Sequence, residues 1–149
     1  MTSGQADNMR RILLKISGEA LGGSAGFGIE PQILAHAASE IRKVQDDGVQ
    51  VALVIGGGNI FRGAALQKAG LDRVAGDQMG MLATVMNGLA MRDELIRQGG
   101  KCVLMSAYGI PSISAQYSAV AGRKALEDGN VVIVAGGTGS PFFTTDTTA

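Results

Sequence analysis

The stretch best suited to chemistry is residues 50–63, QVALVIGGGNIFRG, where an apolar run ends at three glycines. Gly56, Gly57 and Gly58 lack a Cβ, so the backbone there can turn freely and present consecutive N–H groups to a ligand. Arg62 follows with a planar guanidinium that suits a phosphate. The pattern predicts an anion site, for phosphate above all, at the carboxyl end of a buried parallel strand. A glycine-rich turn beside a solvated arginine explains the same residues equally well.

A second cation lies within an apolar strand. Lys15 belongs to residues 10–17, RRILLKIS, close to the carboxyl end and just before Gly18. The sequence predicts a buried ammonium, which needs a counter-charge, and a bound phosphate would supply one. A lysine that extends to solvent from the strand end is the alternative.

Two common phosphate motifs are absent from the sequence. Gly58 and Gly63 have the spacing of the P-loop glycines, but Ala64 stands where that motif requires lysine. The dinucleotide fingerprint fails as well, because Phe61 occupies the sixth position counted from Gly56. The glycine loops therefore require a different phosphate-binding fold.

The composition excludes several classes of function. Lysines plus arginines and aspartates plus glutamates number 13 each, so the formal charge is zero and no net field holds a nucleic acid or a membrane. No apolar run suggests a signal peptide or reaches the roughly 18 residues of a membrane span. The single cysteine, Cys102, fits a buried thiol in a reducing cytoplasm, and His36 has no second ligand nearby. We predict a cytoplasmic protein without a protein-held metal site.

Four strand units, each leading through a loop towards a helix, position these residues. The strands are predicted over residues 10–17, 51–55, 101–105 and 130–135. The helices are predicted over residues 31–47, 72–98 and 117–127, and residues 18–28 are predicted as a loop. Because no hairpin signal occurs, we predict a three-layer α/β sandwich around a mainly parallel sheet, in one domain over residues 10–149. Residues 1–9 are predicted to be disordered.

The second long helix has an unusual surface. Between residues 78 and 91 its only polar residues are Gln78, Thr84 and Asn87, so we expect burial on more than one side. Small residues recur every four positions, at Gly76, Gly80, Thr84 and Gly88. Such a ridge lets another backbone approach closely. The helix is predicted to lie either in the core or against a second subunit.

Glycine loops also follow the first and fourth predicted strands. All four phenylalanines, Phe27, Phe61, Phe142 and Phe143, lie in these loops, where they could stack on a flat ligand or pack beneath the loops. Residues 144–146 are good helix caps with no helix after them, so the fold is predicted to be incomplete at its C-terminal end.

Five segments together carry a family resemblance: LLKISGEAL, GFGI, VIGGGNIFRG, GDQMGMLATVMNGLAMRD and GGTGSPFFTTD. In this order, over residues 12–149, the chain resembles the bacterial uridylate (UMP) kinases of the amino acid kinase superfamily. The resemblance implies transfer of the ATP γ-phosphoryl group to UMP with Mg²⁺, which gives UDP and ADP for pyrimidine nucleotide synthesis. It covers only the UMP-side portion of that fold. It also implies a homohexamer that GTP activates and UTP inhibits.

The same resemblance implies roles for individual residues. Lys15 and Asp146 would be catalytic, with Asp146 orienting Lys15. The ATP phosphates would contact Lys15, Ile16, Ser17, Gly18, Gly58 and Arg62. UMP would contact Gly57, Arg62, Asp77, Thr138, Gly139, Ser140, Pro141, Phe142, Phe143, Thr144 and Thr145. The segment linked to GTP activation would be Gly23, Ser24, Ala25, Gly26, Phe27 and Gly28.

Two other functions stay open at this point. An amino acid or carbamate kinase would use the same lysine and glycine loops with a different acceptor. A non-catalytic nucleotide-binding module would keep the loops without turnover. The resemblance places Asp77 and the FFTTD segment on the acceptor, and these favour a nucleotide.

Overall fold

The computed structural model describes residues 10–139 of the chain. The strands are β1 (Arg11–Ile16), β2 (Gln50–Ile55), β3 (Cys102–Ser106), β4 (Ala115–Gln116) and β5 (Val131–Ala135). The helices are α1 (Gly18–Leu21), α2 (Pro31–Asp46), α3 (Ala64–Lys68), α4 (Arg73–Arg97) and α5 (Ala119–Glu127). The strands form one sheet in the order β1-β2-β5-β3-β4, and each pair of neighbours is parallel.

The alternation of side chains along the central strands creates two apolar layers. Leu53 of β2 and Ile133 of β5 are completely buried on the face that α2 and α4 cover. Their neighbours Val54 and Val134 point to the opposite face, where Leu126 of α5 packs on them. The predicted three-layer sandwich around a parallel sheet is therefore confirmed.

The four predicted strands and three predicted long helices are present, with small changes at their ends. The prediction of a loop over residues 18–28 is wrong, because α1 and a 3₁₀ turn at Gly23–Ala25 occupy much of it. Leu21 anchors this stretch by inserting into the core, where it is 1% exposed. Neither the two-residue β4 nor α3 was predicted, since both are too short to show a period in the sequence.

The order of the strands settles where the glycine loops lie. β1, β2 and β5 are adjacent, with Ile16 paired to Ile55 and Val54 paired to Val134 near their carboxyl ends. The three glycine loops that follow these strands therefore begin at the same edge of the sheet. The convergence predicted from the sequence is confirmed.

The predicted burial of Lys15 is wrong, because its side chain is exposed. β1 is an edge strand, and Leu13 beside Lys15 on the strand is 49% exposed. The ammonium group can therefore stay hydrated at the carboxyl end of β1, without the desolvation that burial would impose.

Helix α4 begins where the sequence predicts, because the Asp72 carboxylate accepts a hydrogen bond from Ala75 N at 3.2 Å. One side of α4 packs on the sheet and on α2. On another side Met79, Leu82 and Met86 are 41–54% exposed, so residues 10–139 do not bury the helix all round. Within the described range, no helix has both the length and the apolar character to cross a membrane.

Candidate functional site

The first two glycine loops touch at the level of the backbone. A Cβ built on Gly18 would lie 2.7 Å from Gly56 O and from Asn59 Oδ1, so this position admits only glycine without rearrangement. Gly56 N in turn donates to Ile16 O at 2.9 Å. The loop after β1 and the loop after β2 therefore form one continuous surface.

The glycine loop after β2 also rests on α4. A Cβ on Gly57 would lie 2.8 Å from Ala83 Cβ and 3.0 Å from Thr84 N. Further along the helix, a Cβ on Gly88 would lie 2.8 Å from Leu104 Cδ1 of the sheet. The ridge of small residues thus admits a close neighbour, as predicted, and that neighbour belongs to the same chain.

Two of the polar residues of α4 fix the glycine loops in place. Gly136 N, directly after β5, donates to Thr84 Oγ1 at 2.7 Å. One turn along the helix, Asn87 Nδ2 donates to Gly56 O at 2.7 Å. Both side chains are essentially fully buried. Helix α4 therefore holds the first glycine of two separate loops through side-chain hydrogen bonds.

Asn87 also forms a reciprocal amide pair with Asn59. Asn87 Nδ2 donates to Asn59 Oδ1 at 2.6 Å, and Asn59 Nδ2 donates to Asn87 Oδ1 at 3.1 Å. The Asn59 amide reaches further, to Gly28 O at 2.7 Å, while Gly28 N donates to Asn59 O at 2.8 Å. These bonds connect Gly28, the glycine loop after β2 and helix α4. A buried polar network of this kind rigidifies its surroundings when all its members are satisfied.

A cavity of about 300 Å³ opens beside the glycine loop. It brings Gly57 and Gly58 together with Asp77 and Gly80 of α4. The Asp77 carboxylate is 23% exposed and lies 3.5 Å from Arg73 Nε, one turn before it. Three residues that the resemblance implies for nucleotide binding thus line one cavity.

Arg62 lies on the other side of the same loop. Its Nε donates to Gly58 O at 3.0 Å, and its Nη2 bonds Glu19 Oε1 at 3.1 Å. It lines a second cavity of about 390 Å³ with Phe27, Phe61 and Gly58. Arg62 and Asp77, both expected at UMP, therefore line different cavities, which share Gly58 and Phe61.

The expected GTP segment borders this second cavity through Ala25, Gly26 and Phe27. Phe27 is 75% exposed, so it packs under no loop in the described part of the chain. The exposed ring is compatible with stacking on a ligand, one of the two uses expected for the phenylalanines.

The loop after β5 is described as far as Gly139. Thr138 is exposed, Gly139 is buried, and the Tyr108 hydroxyl donates to Gly139 O. The expected site residues Ser140, Pro141, Phe142, Phe143, Thr144, Thr145 and Asp146 lie outside the described residues. Residues 1–9, expected to be disordered, lie outside them too.

No group of three or more histidine, cysteine or acidic side chains within residues 10–139 could hold a metal ion. Burial raises the pKa of the Cys102 thiol to about 12, so it is protonated at neutral pH and is no nucleophile. Among the described residues, the glycine loops present backbone amides together with the charged side chains of Arg62, Glu19 and Asp77.

Sequence reasoning missed Glu19, Asn59 and the function of Asn87. An asparagine beside glycines looks like a turn residue, and a glutamate after Ser17-Gly18 looks like an exposed loop charge. One signal was available, because a lone asparagine in an apolar helix must find a buried partner.

Other proteins are similar to this chain in both sequence and fold. The uridylate kinase of Colwellia psychrerythraea is 55% identical over 149 residues, which are 100% of this chain and 60% of that protein. The UMP kinase structure from Bacillus anthracis superposes with a TM-score of 0.86 at 38% identity, over 92% of this chain and 57% of that one. The UMP kinase structure from Ureaplasma parvum gives 0.86 at 36% identity, over 94% and 59%.

The chain thus spans about 60% of the length of the relatives it matches. The family model described as the amino acid kinase family matches residues 10–149, which is nearly the whole chain. The protein belongs to the amino acid kinase family.

Proposed function

We propose that this protein is a UMP kinase that transfers the γ-phosphoryl group of ATP to UMP. The observation that carries the proposal is the meeting of three glycine loops, Arg62 and Asp77 at one edge of the sheet. The names of the relatives support it, because uridylate kinases match this chain at 55–59% identity.

The cavity between the glycine loop and α4 is the proposed UMP site. Its volume of about 300 Å³ suits a small ligand, and Asp77 can accept hydrogen bonds from ribose hydroxyls. Gly57 lines this cavity, and Arg62 would reach the phosphate from the far side of Gly58. Thr138, Gly139 and residues 140–145 would enclose the remainder of UMP.

The proposed chemistry needs no general base. A phosphate oxygen of UMP is already an anionic nucleophile, so catalysis consists of alignment and charge neutralisation. Lys15, exposed at the carboxyl end of β1, would stabilise the transferring group with Asp146 as its orienting partner. Backbone N–H groups near Ser17, Gly18 and Gly58 would bind the donor phosphates with Arg62.

Mg²⁺ is proposed to bind with ATP and to neutralise its phosphates. Mg²⁺ in nucleotide sites takes most of its ligands from phosphates and water, with one or two carboxylates, so a protein cage is unnecessary. The lack of a three-residue metal cluster within residues 10–139 is compatible with that arrangement.

Regulation and assembly form part of the proposal. GTP would activate through residues 23–28, and the hydrogen bonds between Gly28 and Asn59 give that segment a direct connection to the glycine loop. UTP would inhibit. The exposed methionines and leucine of α4 support a homo-oligomer, proposed to be a hexamer in the cytoplasm.

An acceptor panel tests the proposed function. The protein is incubated with Mg²⁺-ATP and UMP, CMP, carbamate or an amino acid, and products are followed by ³¹P NMR. We expect UDP from UMP and at least tenfold less product from the other acceptors. If an amino acid or carbamate gives more product than UMP, the protein is a kinase of that acceptor and the proposal of a UMP kinase is wrong. UMP binding in calorimetry without turnover would indicate a non-catalytic nucleotide-binding module.

A further inference from the structure

Glu19 occupies an unexpected position in the phosphate-binding region. A Cβ built on Gly58 would collide with Glu19 Oε1 and would lie 3.1 Å from Oε2. The carboxylate therefore lies directly against the bare Cα of a glycine in the loop expected to bind phosphate. The carboxylate therefore occupies the space that a side chain at position 58 would take.

The partners of this carboxylate are groups that would also bind phosphate. Ser17 Oγ donates to Glu19 Oε2 at 2.8 Å, and Arg62 Nη2 bonds Oε1 at 3.1 Å. Hydrogen bonds from its own backbone N–H and from Ser17, with the charge of Arg62, lower the pKa of Glu19. Ser17, Gly58 and Arg62 are three of the six residues expected on the ATP phosphates.

We propose that Glu19 is an affinity-setting residue whose carboxylate occupies the place of a phosphate group and is displaced when one binds. This inference rests on the proposed function only in assuming that residues 17–18, 58 and 62 bind phosphate. Displacement makes affinity depend on ligand charge. An uncharged ligand such as a nucleoside cannot compete with the carboxylate for Arg62, whereas a polyphosphate competes with several oxygens at once.

The ion pair is weak enough to be displaced. The side chains of Arg62 and Glu19 are 65% and 48% exposed, so water and salt screen their attraction. Removing the charge of Glu19 frees Arg62 and removes repulsion between carboxylate and phosphate. We expect Glu19→Gln to tighten binding of phosphate-bearing ligands by about two- to fivefold, the range that solvent-exposed ion pairs support.

The test compares Glu19→Gln with Glu40→Gln. Glu40 pairs with Lys43 at 2.7 Å on the surface of α2, so its substitution makes the same charge change at another ion pair. Dissociation constants are measured by calorimetry for UMP, inorganic phosphate and Mg²⁺-free ATP, and again for ATP with added Mg²⁺. Uridine and adenosine are the phosphate-free counterparts. We expect Glu19→Gln, but not Glu40→Gln, to bind at least one phosphate-bearing ligand more tightly. The dissociation constants of uridine and adenosine should not change in either variant.

Equal or weaker binding of all three phosphate ligands by Glu19→Gln would overturn the proposal. So would a loss of ATP affinity seen only with added Mg²⁺, since that result makes Glu19 a metal ligand. If neither UMP nor ATP binds, while Glu19→Gln binds inorganic phosphate more tightly than the unsubstituted protein, the UMP kinase function is refuted and the Glu19 proposal stands. If no ligand binds to any of the variants or to the unsubstituted protein, both the UMP kinase function and the Glu19 proposal are refuted.

Discussion

The buried amide pair of Asn59 and Asn87 is the feature of this fold most open to a quantitative test. Asn87→Leu keeps the number and branching of the side-chain heavy atoms and removes three hydrogen bonds, two with Asn59 and one with Gly56 O. Each is worth about 1 kcal/mol net, and the side-chain amide of Asn59 keeps only its bond to Gly28 O. Leucine gains some apolar burial, so we expect a loss of about 2–3 kcal/mol in the free energy of unfolding.

Urea denaturation followed by far-UV circular dichroism measures this loss, with Asn130→Leu as the matched control. Asn130 Nδ2 makes one hydrogen bond, to Ala125 O at 3.0 Å, at a partly buried position. The control should cost about 1 kcal/mol or less. If Asn87→Leu costs no more than Asn130→Leu, with equal denaturant slopes, the amide pair does not hold the glycine loop and the reasoning is refuted.

Three further predictions concern the site and the core. Lys15→Ala should lower kcat by at least about a hundredfold, as for loss of one preorganised donor to the transition state, and unchanged turnover in a stopped assay would exclude Lys15 from catalysis. Arg62→Ala should raise KM for UMP more than KM for ATP, whereas equal rises in steady-state kinetics would mean that the subsites are misassigned. Because burial raises the pKa of Cys102 to about 12, ionisation favours the unfolded chain above pH ~8.5, the usual pKa of a free thiol. This contribution to stability is complete below that pH and falls by at most about 1.4 kcal/mol per pH unit up to the folded pKa. Cys102→Ala should therefore show a shallower fall in urea midpoint between pH 9 and 10.5 than the unsubstituted chain, and parallel profiles would contradict the buried thiol.

Local sequence patterns predicted the strands and helices better than they predicted which side chains those strands and helices bury. The apolar run before Gly56 identified a buried strand, and the small residues of α4 identified a close backbone contact, because both depend on nearby residue types. Lys15 was placed correctly in its strand but wrongly in the core. Its exposure follows from β1 being at the sheet edge, and strand order depends on contacts between distant segments.

At the candidate site, too, local motifs identified residues, whereas contacts between distant segments could not be predicted. Gly57, Gly58 and Asp77, which motif and resemblance put forward as site residues, line one cavity. The hydrogen bonds of Asn59 with Asn87 and of Thr84 with Gly136 join residues 28 and 52 positions apart, so no local spacing reveals them. Glu19 was missed because its significance lies in what it contacts, an arginine 43 positions away.

We propose that the three glycine loops form one phosphate-binding surface, and amide NMR during a UMP titration tests this most directly. We predict that the amides of Gly57 and Gly136 shift with UMP and that the Gly18 amide shifts with them, because Gly18 packs directly against Gly56. All three should saturate with a single dissociation constant. Uridine should shift the Gly57 amide without moving that of Gly18. Shifts confined to one loop, or separate dissociation constants for the three, would contradict the account.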